Sequence, residues 1–221
     1  HVLKDSEKAS HILNIFKTKI FKESLERREK LEDTLDLKFR PITRGLFLAL
    51  AGSFGNACYT KISVKDTLNH PTMVGAIPFS GDLGSGEQIL GSVLILENQT
   101  KDDKVWILRA INPIEDLADN YNMEDFMREL IKVVRKRAPE DVKGVYLTLE
   151  QGATSNRPQI NSLEKKFSSA IAEEISMKEN FNGYNIQRVY RSILGEEAAD
   201  PQPSGASPLT VKSQEDEKDG A

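Results

Sequence analysis

At the start of the chain, apolar residues recur at helical spacing. Ile12, Leu13, Phe16, Ile20 and Leu25 fall within residues 6–32, with Lys and Glu filling the other side. That pattern predicts a long helix packed by one face. Arg40-Pro41 breaks it. Residues 46–50 are short, continuous and apolar, and read as either a buried strand or a helical turn. Gly52, Gly55 and Asn56 mark a turn before a strand predicted over 57–64. Residues 66–87, with two prolines and four glycines, read as a long connection.

The middle of the chain is more strongly patterned. Residues 88–97 and 104–111 are apolar and rich in branched side chains, separated by a polar hexapeptide, and predict an antiparallel hairpin. A helix follows over 123–138. Phe126, Met127, Leu130, Val133 and Val134 form its apolar stripe, Asn122 its N-cap, and Pro139 its stop. Residues 142–149 read as the parallel strand that follows a crossover helix. Pro158 suits the first position of a further helix, whose stripe is Ile160, Leu163, Phe167, Ile171 and Ile175. Residues 184–193 predict a last strand. The expected architecture is thus mixed α/β (α+β): residues 1–35 a helix, 36–195 one domain with a mostly antiparallel sheet and flanking helices, and 196–221 a disordered tail.

Composition narrows the picture. The chain has 221 residues, 38% hydrophobic and 29% charged, which suits one domain with appendages. His1 stands where a start methionine would, so the sequence reads as part of something longer. A single cysteine, Cys58, excludes an internal disulfide framework and a Cys-rich zinc site, and points to a reducing, cytoplasmic setting. No run approaches the ~18 apolar residues that cross a bilayer, so no membrane association is expected. The net charge of −4 sits in the tail. Seven acids against two lysines from Glu196 onward leave about +1 for the rest. Such a domain has no global field for gripping nucleic acid. The basic run Lys132, Arg135, Lys136 and Arg137 reads as helix-end charge complementing the dipole.

The order of elements resembles the Gcn5-related N-acetyltransferase (GNAT) fold. Ile111-Asn112-Pro113 closes the hairpin, and the helix over 123–138 stands where the family's cofactor helix stands. Asn156-Arg157-Pro158-Gln159-Ile160-Asn161-Ser162-Leu163-Glu164-Lys165-Lys166-Phe167 is similar to the family's asparagine-led phrase. The resemblance covers about half the chain. It implies transfer of an acyl group from acetyl-CoA or another acyl-CoA to a small-molecule or protein amine acceptor. Leu108, Arg109, Ala110 and Ile111 would pair with the pantetheine arm through their backbone, with Asn122 and Asn156 also on the cofactor side. One departure concerns the cofactor loop, which in the family carries Arg or Gln and two spaced glycines. The stretch 113–121 has neither, and carries Glu115, Asp116 and Asp119. A carboxylate ~4 Å from a phosphate opposes binding by about 4 kcal/mol at an effective dielectric of ~20, before screening by solvent and salt. The helix dipole offers only about 0.3–1 kcal/mol in return. A non-catalytic binding or assembly module of the same fold is therefore the second reading, with the N-terminal helix as a surface for a partner or for self-association.

Candidate chemistry follows from the residues. Glu150, at the end of a predicted strand, is placed as a general base, and Tyr190 as a phenolic acid. Asn156 would orient acceptor or cofactor. Cys58, after a Gly-rich turn, offers a nucleophile for a hydrolase, with His70 as base and Asp66 or Asp82 as orienting group. Equally, a lone cysteine is a small core residue. The scattered histidines His1, His11 and His70 suggest no metal. Gly81-Asp82-Leu83-Gly84-Ser85-Gly86 reads as a flexible loop.

Overall fold

The computed structural model describes residues 35–62, 64–149, 154–181 and 184–193, together with Glu26. Strands β1 (Lys38–Phe39), β2 (Met73–Asp82), β3 (Glu87–Gln99), β4 (Lys104–Pro113), β5 (Val142–Leu147), β6 (Ser168–Phe181) and β7 (Tyr184–Ser192) form one sheet. Its order is β1-β2-β3-β4-β5-β7-β6. Neighbours are antiparallel except β4 and β5, which run parallel. The helices are α1 (Leu46–Phe54), α2 (Tyr59–Ile62), α3 (Val64–Leu68), α4 (Glu115–Asn120), α5 (Met123–Arg137) and α6 (Pro158–Glu164), the last running into a 3-10 turn at Lys165–Phe167. The mixed, mostly antiparallel architecture agrees with the sequence reading.

Alternation along the strands divides the side chains between two faces. Trp106 and Leu108 of β4 point to the face covered by α5, joining Phe79, Val93, Ile95, Val145 and Leu147. There α5 buries Phe126, Met127, Leu130, Ile131 and Val134. Phe126 packs edge-on to Phe79 at 5.0 Å between centroids. On the opposite face, Leu48 of α1 packs with Ala57, Tyr59, Ala76 and Leu94. The rest of that face closes on itself as the sheet curls. Leu96, Val105, Ile107, Tyr146, Ile175, Ile186 and Val189 share one cluster. Asn98 Nδ2 donates to the Met177 carbonyl at 2.9 Å, and Ser176 Oγ to the Gln99 carbonyl at 2.9 Å. These bonds join β3 to β6 across the curl.

Several expectations are corrected. In the stretch predicted as a strand over 57–64, Tyr59–Ile62 form α2 and Val64 opens α3. The supposed connection over 66–87 contains β2, whereas for 46–50 the helical of the two readings holds. The stretch 113–121 is not an open loop, because α4 occupies most of it. Helix α6 ends at Glu164, and Ile171 and Ile175 belong to β6. Within α5, Ile131 is buried where Val133 was expected and Val133 is half-buried. Of the Gly81–Gly86 stretch, Gly81 and Asp82 end β2 and the rest is the tight connection to β3, with Asp82 Oδ1 accepting from the Gly84 and Gly86 amides at 2.6 and 2.9 Å. The predicted N-terminal helix and acidic tail lie outside the described residues, save that Glu26 is helical and exposed.

Candidate functional site at the split between β4 and β5

The parallel pairing of β4 with β5 runs only from Lys104↔Val142 to Ile107↔Tyr146. Strand β4 then continues to Pro113 paired only with β3, while β5 stops at Leu147. A bulge helps β4 turn away. Leu94 pairs with Arg109 and Ser92 with Asn112, so Ala110 and Ile111 together face Val93. Ala110 takes φ 49°. An extra residue of this kind bends a strand and exposes its backbone groups on the open side.

In this chain that open side is occupied by residues 154–157. The Ile111 amide donates to the Thr154 carbonyl at 2.7 Å. Ser155 Oγ donates to the Ile111 carbonyl. The Asn156 amide donates to Asn112 Oδ1 at 2.9 Å. Arg157 Nε donates to the Pro113 carbonyl at 2.6 Å, and Arg157 Nη2 to the Gly55 carbonyl at 3.3 Å. Thr154, Ser155 and Arg157 are buried, and Thr154 shares a 2.7 Å hydroxyl bond with Thr148 beyond the end of β5. The gap is therefore filled by the chain itself. Two glycines let neighbouring backbone close over it. A Cβ on Gly55 would stand 1.9 Å from the Asn112 carbonyl oxygen, and one on Gly91 2.3 Å from the same atom.

At the head of α5, Asn122 Oδ1 accepts from the amides of Glu124 at 3.0 Å and Asp125 at 3.4 Å. Two of the N–H groups that a helix end offers an anion are thereby used within the chain. A cavity of about 360 Å³ opens beside it, with Asp119, Asn122, Glu124, Gln159 and Leu163 among its walls. Gln159 Nε2 donates to Asp119 Oδ1 at 2.6 Å. Lys166 and Arg128 bond Glu124 at 2.6 and 2.9 Å, and hold its carboxyl below the usual range. The walls thus carry two carboxylates, Asp119 and Glu124, the second of them paired with two cations.

The curled face carries a second group of polar residues. Arg109 is buried at 2% exposure. Burial, then the charge of Arg109, lowers the His70 pKa, so the imidazole is neutral at pH 7. His70 Nδ1 lies 2.9 Å from Thr72 Oγ1. Tyr59 donates to the Leu48 carbonyl at 3.2 Å, and burial pushes its phenol up to about 12. Tyr146 donates to Glu173 Oε1 at 2.8 Å, and its phenol is raised by burial first and that bond second.

The candidates read from the sequence separate. Leu108 and Ile111 are buried on the α5 face, Arg109 is buried on the other, and Ala110 is partly buried there. Asn156 is exposed and its Nδ2 donates to the Asn56 carbonyl at 3.2 Å. Tyr190 is half-buried on β7 opposite Leu147 and Ala172. Cys58 is partly exposed just before α2. His70 and Asp82 flank opposite ends of the ten-residue β2, about 30 Å apart at a strand's rise. Asp82 therefore does not orient His70. Glu150 falls outside the described residues. Among the described residues no group of three or more His, Cys, Asp or Glu is placed to hold a metal ion. No helix among them is long and apolar enough to cross a membrane.

Sequence reasoning missed Glu164 and Arg157. Glu164 is 5% exposed. Burial raises its carboxyl to about 7, against a smaller opposing effect of a bond to Thr154. Among the described residues its Oε1 has no hydrogen-bond partner. The available signal was position, since Glu164 follows Ile160 by four on the buried stripe of α6. Comparisons with family models, with curated proteins and with solved structures returned no match.

Proposed function

We propose that this chain is a GNAT-like domain acting as a binding or assembly module rather than as an ordinary coenzyme A-dependent acyltransferase. Support for the architecture comes from the strand order, the single parallel pair joined through α5, and the bulge on β4. One observation carries the functional half. The Ile111 amide and carbonyl, which the resemblance assigns to a pantetheine arm, are bonded to Thr154 and Ser155 of the same chain. An acyl-CoA would have to displace the 154–157 segment, with its buried Thr154, Ser155 and Arg157, and break its bonds to Ile111, Asn112 and Pro113. Its phosphates would then meet an α5 head already capped by Asn122, with the carboxylates of Asp119 and Glu124 in the adjoining walls. Each lost buried hydrogen bond opposes entry by roughly 1 kcal/mol or more.

The acyltransferase reading retains one favourable observation, the cavity of about 360 Å³ at the α5 head. In that reading Glu150, Asn156 and Tyr190 serve the acceptor side. Calorimetry with acetyl-CoA at low and moderate salt separates the two. The module reading expects no heat and no thermal stabilisation at millimolar ligand. Binding at micromolar affinity overturns it, and an amine-acceptor screen would follow.

A further inference from the structure

Helix α1 reads Leu-Phe-Leu-Ala-Leu-Ala-Gly-Ser-Phe, with no charged residue in nine. Leu48, Ala51 and Gly52 form its buried side. The outer side is equally apolar. Leu46 is 72% exposed, Phe47 70%, Leu50 58% and Phe54 55%. Leu46, Leu50 and Phe54 fall four apart and Phe47 lies three before Leu50, so the four form one stripe along a helix about 14 Å long. Ser53 is exposed too, but its Oγ donates back to the Leu50 carbonyl at 2.7 Å. Such a patch on a domain surface marks a docking site.

The charge around the stripe selects the occupant. From Leu37 to Lys65 the sequence carries Lys38, Arg40, Arg44, Lys61 and Lys65 and no acid, in a chain whose net charge is −4. Lys38 and Arg40 are paired with Asp36 and Glu87. Arg44 stands exposed just before α1, its Nε donating to the Val74 carbonyl at 2.7 Å. Lys61 and Lys65 belong to α2 and α3, the short helices packed beside α1, and Lys65 is exposed. Asp66, the next residue along, is the first acid after them. Among the described residues no ion pair joins Arg44 or Lys65 to an acid. An apolar stripe rimmed by cations suits the headgroup region of an anionic bilayer. A second copy is disfavoured, because a two-fold contact through α1 would set this cationic rim against itself.

We propose that the outer stripe of α1 docks the domain on an anionic phospholipid surface. Leu46, Phe47, Leu50 and Phe54 enter the boundary of the acyl chains, and Arg44 and Lys65 meet the lipid phosphates. Nine residues are too few to cross a bilayer, so the helix lies along it. The guanidinium of Arg44 suits phosphate through its planar fork. The docking is independent of how the β4–β5 gap is used.

The test floats the full chain with vesicles of phosphatidylcholine alone, and of phosphatidylcholine with roughly a quarter phosphatidylserine. The expected result is co-flotation with the anionic vesicles, weakening as salt is raised, and little with the neutral ones. Phe47→Ala/Phe54→Ala should lower the partition coefficient roughly tenfold or more. Arg44→Gln/Lys65→Gln should lower it about fivefold per charge removed. Ile171→Ala, which trims an exposed apolar side chain on β6, should bind like the parent. Trp106 is the chain's one tryptophan and is buried, so a Phe47→Trp variant reports on the stripe itself. Its emission should shift to the blue on anionic vesicles and be quenched by brominated acyl chains. No co-flotation with anionic vesicles would overturn the proposal, as would binding that survives the paired phenylalanine change. A doubling of mass with concentration, abolished by that same change, would overturn it in favour of a second copy.

Discussion

A carboxyl group set among apolar neighbours is held in its neutral form, and Glu164 is such a group. Its ordinary value of 4.5 is raised to about 7 by burial. Below pH 4.5 it is protonated in folded and unfolded chains alike, so it affects neither. Between pH 4.5 and 7 the unfolded chain ionises first, and stability falls as pH rises. Above pH 7 the penalty is complete, about 3 kcal/mol as an upper figure. Glu164→Gln should therefore raise the urea midpoint at pH 8 and leave it unchanged near pH 4.5. Equal midpoints at both pH values would mean that Glu164 is not held neutral. At this scale the sequence was partly readable. Asn122 announced itself because an amide before an acidic first turn has one favoured use. Glu164 and Arg157 did not, because each sits in a charged or turn-like phrase whose default is solvent. Only the tertiary fold takes them inside. Arg157 is accepted there because its fork reaches the carbonyls of Pro113 and Gly55, with Glu115 at 3.6 Å.

Between elements, the end of β4 is a crowded junction of backbone against backbone. A methyl group at Gly55 would meet the Asn112 carbonyl, which cannot swing aside without disturbing the β3–β4 pairing at Ser92. Gly55→Ala should lower stability by about 1–3 kcal/mol, the usual range for forcing atoms into a packed site. Urea unfolding checks this, and a change within about 0.5 kcal/mol would show that the junction is looser than described. The misread elements have physical causes too. Proline and glycine disguised β2 as a connection. Pro78 is tolerated because its carbonyl accepts from Arg40, so its missing donor faces the two-residue β1 and not the long β3. Phe167, Ile171 and Ile175 are four apart, a spacing that suits a helix and also one side of a strand. Helix β-hairpin ambiguity of that kind is resolved by partners: Ser168–Phe181 pairs with β7. The stretch over α2 and α3 is short enough that packing of Tyr59 under α1 outweighs its strand-like composition.

Across the whole molecule, the hairpin, crossover helix and parallel strand were readable because each is built from neighbours in sequence. The curl that brings β6 against β3 and the closure of the β4–β5 gap were not. Both join residues dozens of positions apart, and no local pattern encodes such a meeting. In the proposed module reading, that closure is what keeps an acyl-CoA from the backbone of β4. Amide hydrogen exchange at Ile111, followed by NMR with and without acetyl-CoA, tests it most directly. The account predicts exchange as slow as that of core strand amides in the free protein, unchanged by millimolar acetyl-CoA. Fast exchange in the free protein, slowed when acetyl-CoA is added, would contradict it.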